Sequence, residues 1–224
     1  MLIPGQSYIF PPVEEADADG LLAVGGDLSP ACLLDAYRRG IFPWYNENEP
    51  ICWWSPDPRC VLFPEKLYVS ASMKQVLRKQ PFLFTINKAF REVMESCRQA
   101  DRGEGQGTWI QPDIIAAYSR LHELGFALSA ETWQNGKLVG GLYGIQLGKV
   151  FFGESMFHSV SNASKVAFIH LVRELRQQGI AMIDCQVRTE HLVSLGAEMI
   201  SRKTFINLLD ELIGDIRPGR LSSG

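Results

Sequence analysis

No two of the five cysteines, at positions 32, 52, 60, 97 and 185, stand in a CxxC pair, and their number is odd. That excludes a disulfide framework and a zinc site of the common spacing, and it fits a reducing compartment. No apolar run is long enough to span a bilayer, and the opening MLIPGQSYIFPP lacks the basic start of a secretory signal, so a cytoplasmic, membrane-free protein is expected. Excess positive charge is missing too. The net charge is −3, so contact with RNA has to come from local basic patches. There is no internal repeat and no low-complexity segment. With 46% hydrophobic and 21% charged residues over 224 positions, the chain has the make-up of a globular protein with a substantial core.

Residues 1 to about 65 are rich in proline, glycine and aromatics. Ser29-Pro30 is a helix start, a capping hydroxyl followed by a residue whose missing N–H costs nothing there, and Gly40 is the stop. The loop that follows, IFPWYNENEPICWWSPDPR, holds Trp44, Trp53 and Trp54. Three indoles so close together suit a small domain filling a scarce core, or a stacking surface for a base. Residues 72–79 read as a helix with Met73, Val76 and Leu77 inward and Lys74, Arg78 and Lys79 outward. That basic side is either a solvated face or a phosphate-binding patch. Phe82 to Ile86 suits a strand, Asn87 a helix cap, and Pro112 to Leu124 an amphipathic helix. Between the last two, DRGEGQG is a loop delivering Thr108-Trp109-Ile110.

From Phe126 the periodicity becomes that of strands, with Asn135-Gly136 as a hairpin turn. The stretch LVGGLYGIQLGKVFFGESMFHSVSNASK, 138–165, reads as strand, turn at Leu147-Gly148, strand, then a loop entering a helix. Glycines at 140, 141 and 144 pack nothing and weaken a strand, which is tolerated where a ligand or another backbone comes close. Glu154 sits between a glycine and a serine at the end of an apolar run. After the helix comes AMIDCQ, a buried strand whose polar end, Asp184 and Gln186, is expected at a rim. A short helix at 191–195, a strand at 198–201 and a helix at 203–213 close the pattern. This order predicts an α+β domain with a mixed sheet, in which the helix after GESMF is a crossover whose N-terminus faces a ligand. Acyl-transfer domains of the GNAT type have this arrangement. The glycine-rich Q/R-x-x-G-x-G/A loop that holds the pyrophosphate of acyl-CoA is missing, since the segment here is HSVSNASKVA.

Nine motifs in register are specific enough to carry a resemblance: DGLLAVGGDLSP, GIFPWY, WWSPDPR, GTWI, AYSRLHELG, LVGGLYG, FGESMF, NASK and IDCQV. Together they resemble the leucyl/phenylalanyl-tRNA–protein transferase family across nearly the whole chain. The loop before GTWI is longer and richer in glycine than is usual there, and the chain stops soon after Arg217.

The resemblance implies transfer of Leu or Phe, less well Met, from aminoacyl-tRNA to a protein's N-terminal Arg or Lys, marking that protein for proteolysis. It implies a small N-terminal domain, residues 1–65, and a GNAT-like catalytic domain, residues 66–224. Asp184 is expected to orient and polarise Gln186, which assists deprotonation of the attacking α-amine, although water or the terminal adenosine hydroxyl can serve instead. Glu154 and Asp184 are the carboxylates placed to receive the acceptor's cation. An apolar donor pocket is expected from Leu142, Phe151, Met156, Phe168 and Ile183, each of which also suits plain core packing. Trp44 and Trp109 carry over as indoles around the terminal adenosine, with Lys74, Arg78 and Lys79 on the acceptor backbone and Trp53 and Trp54 in the core. An activated ester requires neither cofactor nor metal. Two rivals remain: a coenzyme-A-dependent acetyltransferase and a tRNA-binding module that catalyses nothing.

Overall fold

The computed structural model describes residues 10–100 and 109–214. Two sheets organise them. The first has three short strands, β1 (Leu21–Val24), β2 (Phe42–Pro43) and β3 (Cys52–Trp54), with β3 in the middle. Between β1 and β2 runs α1 (Pro30–Arg38), where Ser29 Oγ accepts the Cys32 N–H and Pro30 opens the first turn. Gly40 follows at φ 74°, and a Cβ there would strike the side chains of Phe205 and Ile206.

The second sheet has seven strands. β4 (Arg59–Leu62) belongs to it, although it lies within residues 1–65. The other members are β5 (Leu83–Ile86), β6 (Ala127–Gln134), β7 (Lys137–Leu147), β8 (Val150–His158), β9 (Met182–Gln186) and β10 (Glu198–Ile200). Their spatial order is β10-β4-β9-β8-β7-β6-β5. Every pairing is antiparallel except β8 with β9, which α5 (Ala163–Gln177) joins as a crossover. The class is therefore α+β with a mixed sheet, as the element order predicts.

Both faces of this sheet are covered, which is why β7 and β8 read as near-continuous apolar runs. On one face Tyr143, Ile145, Val150, Phe152 and Met182 pack with α1, α3 (Phe90–Gln99), α4 (Pro112–Glu123) and α7 (Arg202–Ile213). On the other, Leu142, Phe151 and Ile183 pack with α2 (Ala71–Lys79) and with Phe168 and Leu171 of α5. A fully buried Phe such as Phe151 contributes roughly 2–3 kcal/mol by leaving water.

One local expectation is corrected. Asn87 does not cap α3. It sits at φ 57°, its Oδ1 accepts the Ser129 N–H, and the carboxylate of Glu131 accepts the Lys88 and Ala89 N–H groups at the helix start. The first residue of α5 is packed on the sheet, with Ala163 abutting Gly140 and its carbonyl accepting from Thr132 Oγ1. At the strand glycines it is another backbone that comes close, the second of the two causes expected: that of Ala163 over Gly140 and the Phe152 carbonyl over Gly144, beside the Phe151 ring. The glycine-rich loop 101–107 lies outside the described residues.

Candidate active site

β8 and β9 pair only from Val150–Met182 to Phe152–Asp184 and then part, although β8 runs on to His158 and β9 to Gln186. Two departures from regular strand geometry mark the split. Glu154 is an extra residue in β8, since Tyr143 lies opposite Ser155 and Gly144 opposite Gly153. Gln186 has φ 55°, which turns the chain away from β8. GESMF is thus strand with a bulge.

A cavity of about 370 Å³ occupies the split. Leu142, Met156, Phe168, Ile183, Val187 and Leu192 give it apolar walls, while Glu154, Gln186, Thr189 and His191 bring polar atoms. Four of the five residues expected in the donor pocket are there. Phe151 is not: its ring lies fully buried over Gly144. Missed from sequence were Val187, Thr189, His191 and Leu192, contributed by the end of β9 and α6 (Glu190–Val193). Burial, then the charges of Lys165 and His158, holds the His191 imidazole below its ordinary pKa.

Asp184 is not at a rim. It is fully buried and takes a bidentate ion pair from Arg59, Nε to Oδ1 at 2.9 Å and Nη2 to Oδ2 at 2.8 Å. Arg59 Nη1 also donates to the Gly40 carbonyl at 3.1 Å, and the guanidinium lies between the rings of Phe42 and Phe205, 4.8 and 4.6 Å from their centroids. Asp184 is therefore not open to an acceptor cation, since it has no exposed surface and Arg59 is already its counter-charge. Orientation of Gln186 takes a different form from the one expected: Asp184 Oδ1 accepts the Gln186 backbone N–H at 2.9 Å, fixing the left-handed turn.

That turn carries the Gln186 side chain to Glu154, where Nε2 donates to Oε1 at 3.3 Å. Glu154 also meets two tyrosines from the opposite layer. The Tyr37 hydroxyl of α1 donates to Oε1 at 2.7 Å, the Tyr118 hydroxyl of α4 lies 3.3 Å from Oε2, and the two hydroxyls bond each other. Burial pushes the Glu154 carboxyl up to about 8, and the charge of Asp184 adds to this. The Tyr37 and Tyr118 hydrogen bonds and Arg59 pull the other way. Neither tyrosine was singled out from sequence, because each sits at an ordinary inward position of an amphipathic helix.

Trp44 and Trp109 do not line the cavity. Trp44 is 44% exposed and meets Trp54 edge-on, while Trp109 packs on the core beside α4. Trp53 is fully buried, whereas Trp54 is half-buried under Trp44. Lys74, Arg78 and Lys79 are exposed along α2 and make no ion pair with any described residue.

Residues 61–210 match the family described as leucyl/phenylalanyl-tRNA protein transferase, and residues 26–57 match that family's N-terminal domain. A leucyl/phenylalanyl-tRNA–protein transferase of Syntrophobacter fumaroxidans is 54% identical over 98% of this chain and 94% of its own. One from Nitrosospira multiformis is 56% identical over 94% and 91% respectively. A solved GCN5-related glucosamine N-acetyltransferase region from a fungal enzyme superposes with a TM-score of 0.44 at 11% identity, covering 65% of this chain and 20% of that one.

Proposed function

The chain belongs to the leucyl/phenylalanyl-tRNA–protein transferase family, and from that premise we propose that the cavity between β8 and β9 holds the amino acid being transferred. As an aminoacyl-tRNA–protein transferase it moves Leu or Phe from tRNA to a protein. The acceptor we propose is an N-terminal Arg or Lys, and the product a protein marked for degradation in the cytoplasm. One observation carries this proposal: a single cavity joins apolar walls wide enough for Leu or Phe to the paired side chains of Glu154 and Gln186.

In the reaction the acceptor's α-nitrogen attacks the ester carbonyl carbon, the bond to the ribose oxygen breaks, and a proton passes from nitrogen to that oxygen. The ester is already activated, so placement does most of the work, with a ceiling of about 7–11 kcal/mol for well-oriented reactants. Gln186 donates its amide N–H to Glu154 and thereby turns its carbonyl oxygen to accept from the α-amine. Asp184 is a positioning residue acting through the Gln186 backbone. Glu154 receives the acceptor's positive charge.

Outside the cavity, Trp44 is the exposed indole available to the terminal adenosine, a stacking contact worth about 1–3 kcal/mol. Trp109 is proposed as its second wall, and Lys74, Arg78 and Lys79 as the contacts to the acceptor backbone. The division into residues 1–65 and a GNAT-like part, 66–224, is kept as a proposal, with β4 lent by the first to the sheet of the second.

Labelled Phe-tRNA incubated with an Arg-starting peptide should pass its label to that peptide and not to one with an acetylated N-terminus. Label arriving only from an acyl-CoA, or tRNA binding without transfer, overturns this function.

A further inference from the structure

Around Glu154 the contacts between oxygens outnumber the hydrogens that two tyrosines bring. Tyr37 Oη bonds Tyr118 Oη, Tyr37 Oη lies 2.7 Å from Glu154 Oε1, and Tyr118 Oη lies 3.3 Å from Oε2. Each contact needs one hydrogen, or lone pairs face each other beside two phenols that are themselves fully buried. Two phenols supply two. Both stay protonated, because burial foremost drives their pKa values well up. The third hydrogen has one source within the ring, the Glu154 carboxyl. With it the ring closes: Tyr118 donates to Tyr37, Tyr37 donates to Oε1, and the carboxyl O–H on Oε2 donates to Tyr118. Without it one of the three contacts has no hydrogen, and two oxygens there face each other with nothing between them.

The surroundings point the same way. Asp184 on β9 faces Glu154 with negative charge, and Arg59 on β4, the nearby cation, is committed to Asp184. Gln186 contributes one amide hydrogen to Oε1. With the site empty and Glu154 ionised, a half-buried carboxylate would face Asp184 with no cation of its own, which is costly.

We propose that Glu154 rests as a neutral carboxylic acid closed into a ring with Tyr37 and Tyr118, and that a cationic acceptor displaces the carboxyl proton as it binds. This rests on Glu154 being the acceptor's receptor. The balance is simple: acid plus bound ammonium gives carboxylate–ammonium pair plus one proton released to solvent. Tyr37 and Tyr118 are positioning residues, since Tyr118 keeps donating to Tyr37 and Tyr37 to the carboxylate, while the acceptor's cation takes the place of the lost proton at Oε2. A neutral terminus brings no charge to draw the proton off, so the ring favours cationic acceptors.

Infrared spectroscopy of the whole chain at neutral pH should show a protonated-carboxyl carbonyl band that Glu154→Gln lacks. Tyr118→Phe, which removes the oxygen to which the acid donates, should shift that band while the chain stays folded. Agmatine carries two cations and no group titrating near neutrality. Calorimetry in buffers of different ionisation heat should find close to one proton released per agmatine bound at neutral pH. Its affinity should rise by up to about tenfold per pH unit and level off above pH 8. No such band, a band unmoved in Tyr118→Phe, or agmatine binding without proton release overturns the proposal. The band without agmatine binding overturns the coupling and, with it, Glu154 as acceptor receptor, whereas transfer of label from Phe-tRNA stands or falls separately.

Discussion

At Gln186 backbone and side chain have separable duties. Its φ of 55° suits glycine better than glutamine, and Asp184 holds it there through the backbone N–H, which glycine also has. Gln186→Gly should therefore unfold within about 1 kcal/mol of the native chain in denaturant. Loss of the amide that links to Glu154 should still lower turnover by roughly tenfold or more in steady-state assays at saturating substrates. Equal loss of stability and turnover would count against the role given to the side chain. Glu154 makes a second test through pH. Its carboxyl is raised from 4.5 to about 8, so the fold favours the protonated form. That contribution is complete below 4.5 and is lost as pH climbs through 8. Glu154→Gln keeps the neutral shape and has no proton to lose. Its melting temperature should gain on the native chain steadily from about pH 4.5 to about pH 8 and level off above that, and parallel curves would refute the shift.

Elements were legible in the sequence wherever periodicity and turn chemistry agreed, as at Ser29-Pro30 and Asn135-Gly136. What stayed hidden was how distant segments meet. Arg59 stands in the motif WWSPDPR, yet only the pairing of β4 with β9 shows that it grips Asp184. Asp184 and Gln186 looked like the polar end of a strand, and nothing local says that one is sealed and the other turned toward β8. The bulge at Glu154 follows from a register with β7 that no single strand specifies. One element stands apart from this convergence, the exposed basic side of α2. Replacing Lys74, Arg78 and Lys79 with Ala should weaken tRNA binding and reduce the salt slope of log affinity by about 0.7–0.9 for each phosphate no longer neutralised. Transfer from a minimal aminoacyl-adenosine donor should survive, and a matching loss with both donors would mean that α2 matters for folding instead.

For the molecule as a whole the proposed donor pocket makes the split between β8 and β9 the filter for the amino acid transferred. Leu142, Met156, Phe168 and Ile183 enclose an apolar space, and a methylene too many or too few there is worth about 1–3 kcal/mol. Met should be a usable but poorer donor than Leu or Phe, while Val and Ile crowd the carbonyl through their branched Cβ. Leu142→Trp should shut out Phe, at a stability cost of roughly 1–3 kcal/mol from overpacking. Transfer rates for the five aminoacyl-tRNAs to one Arg-starting peptide give the check, and equal rates for Ile and Leu would refute this account of the walls.

Arg59 lies under Phe205, and Gly40 is pressed by Phe205 and Ile206, so the support for Asp184 is completed by α7. Glu154, Asp184 and Gln186 are all made before Phe205. A ribosome still translating this chain therefore carries the side chains proposed for the site before the helix that braces Arg59, and activity should arrive only when that helix docks.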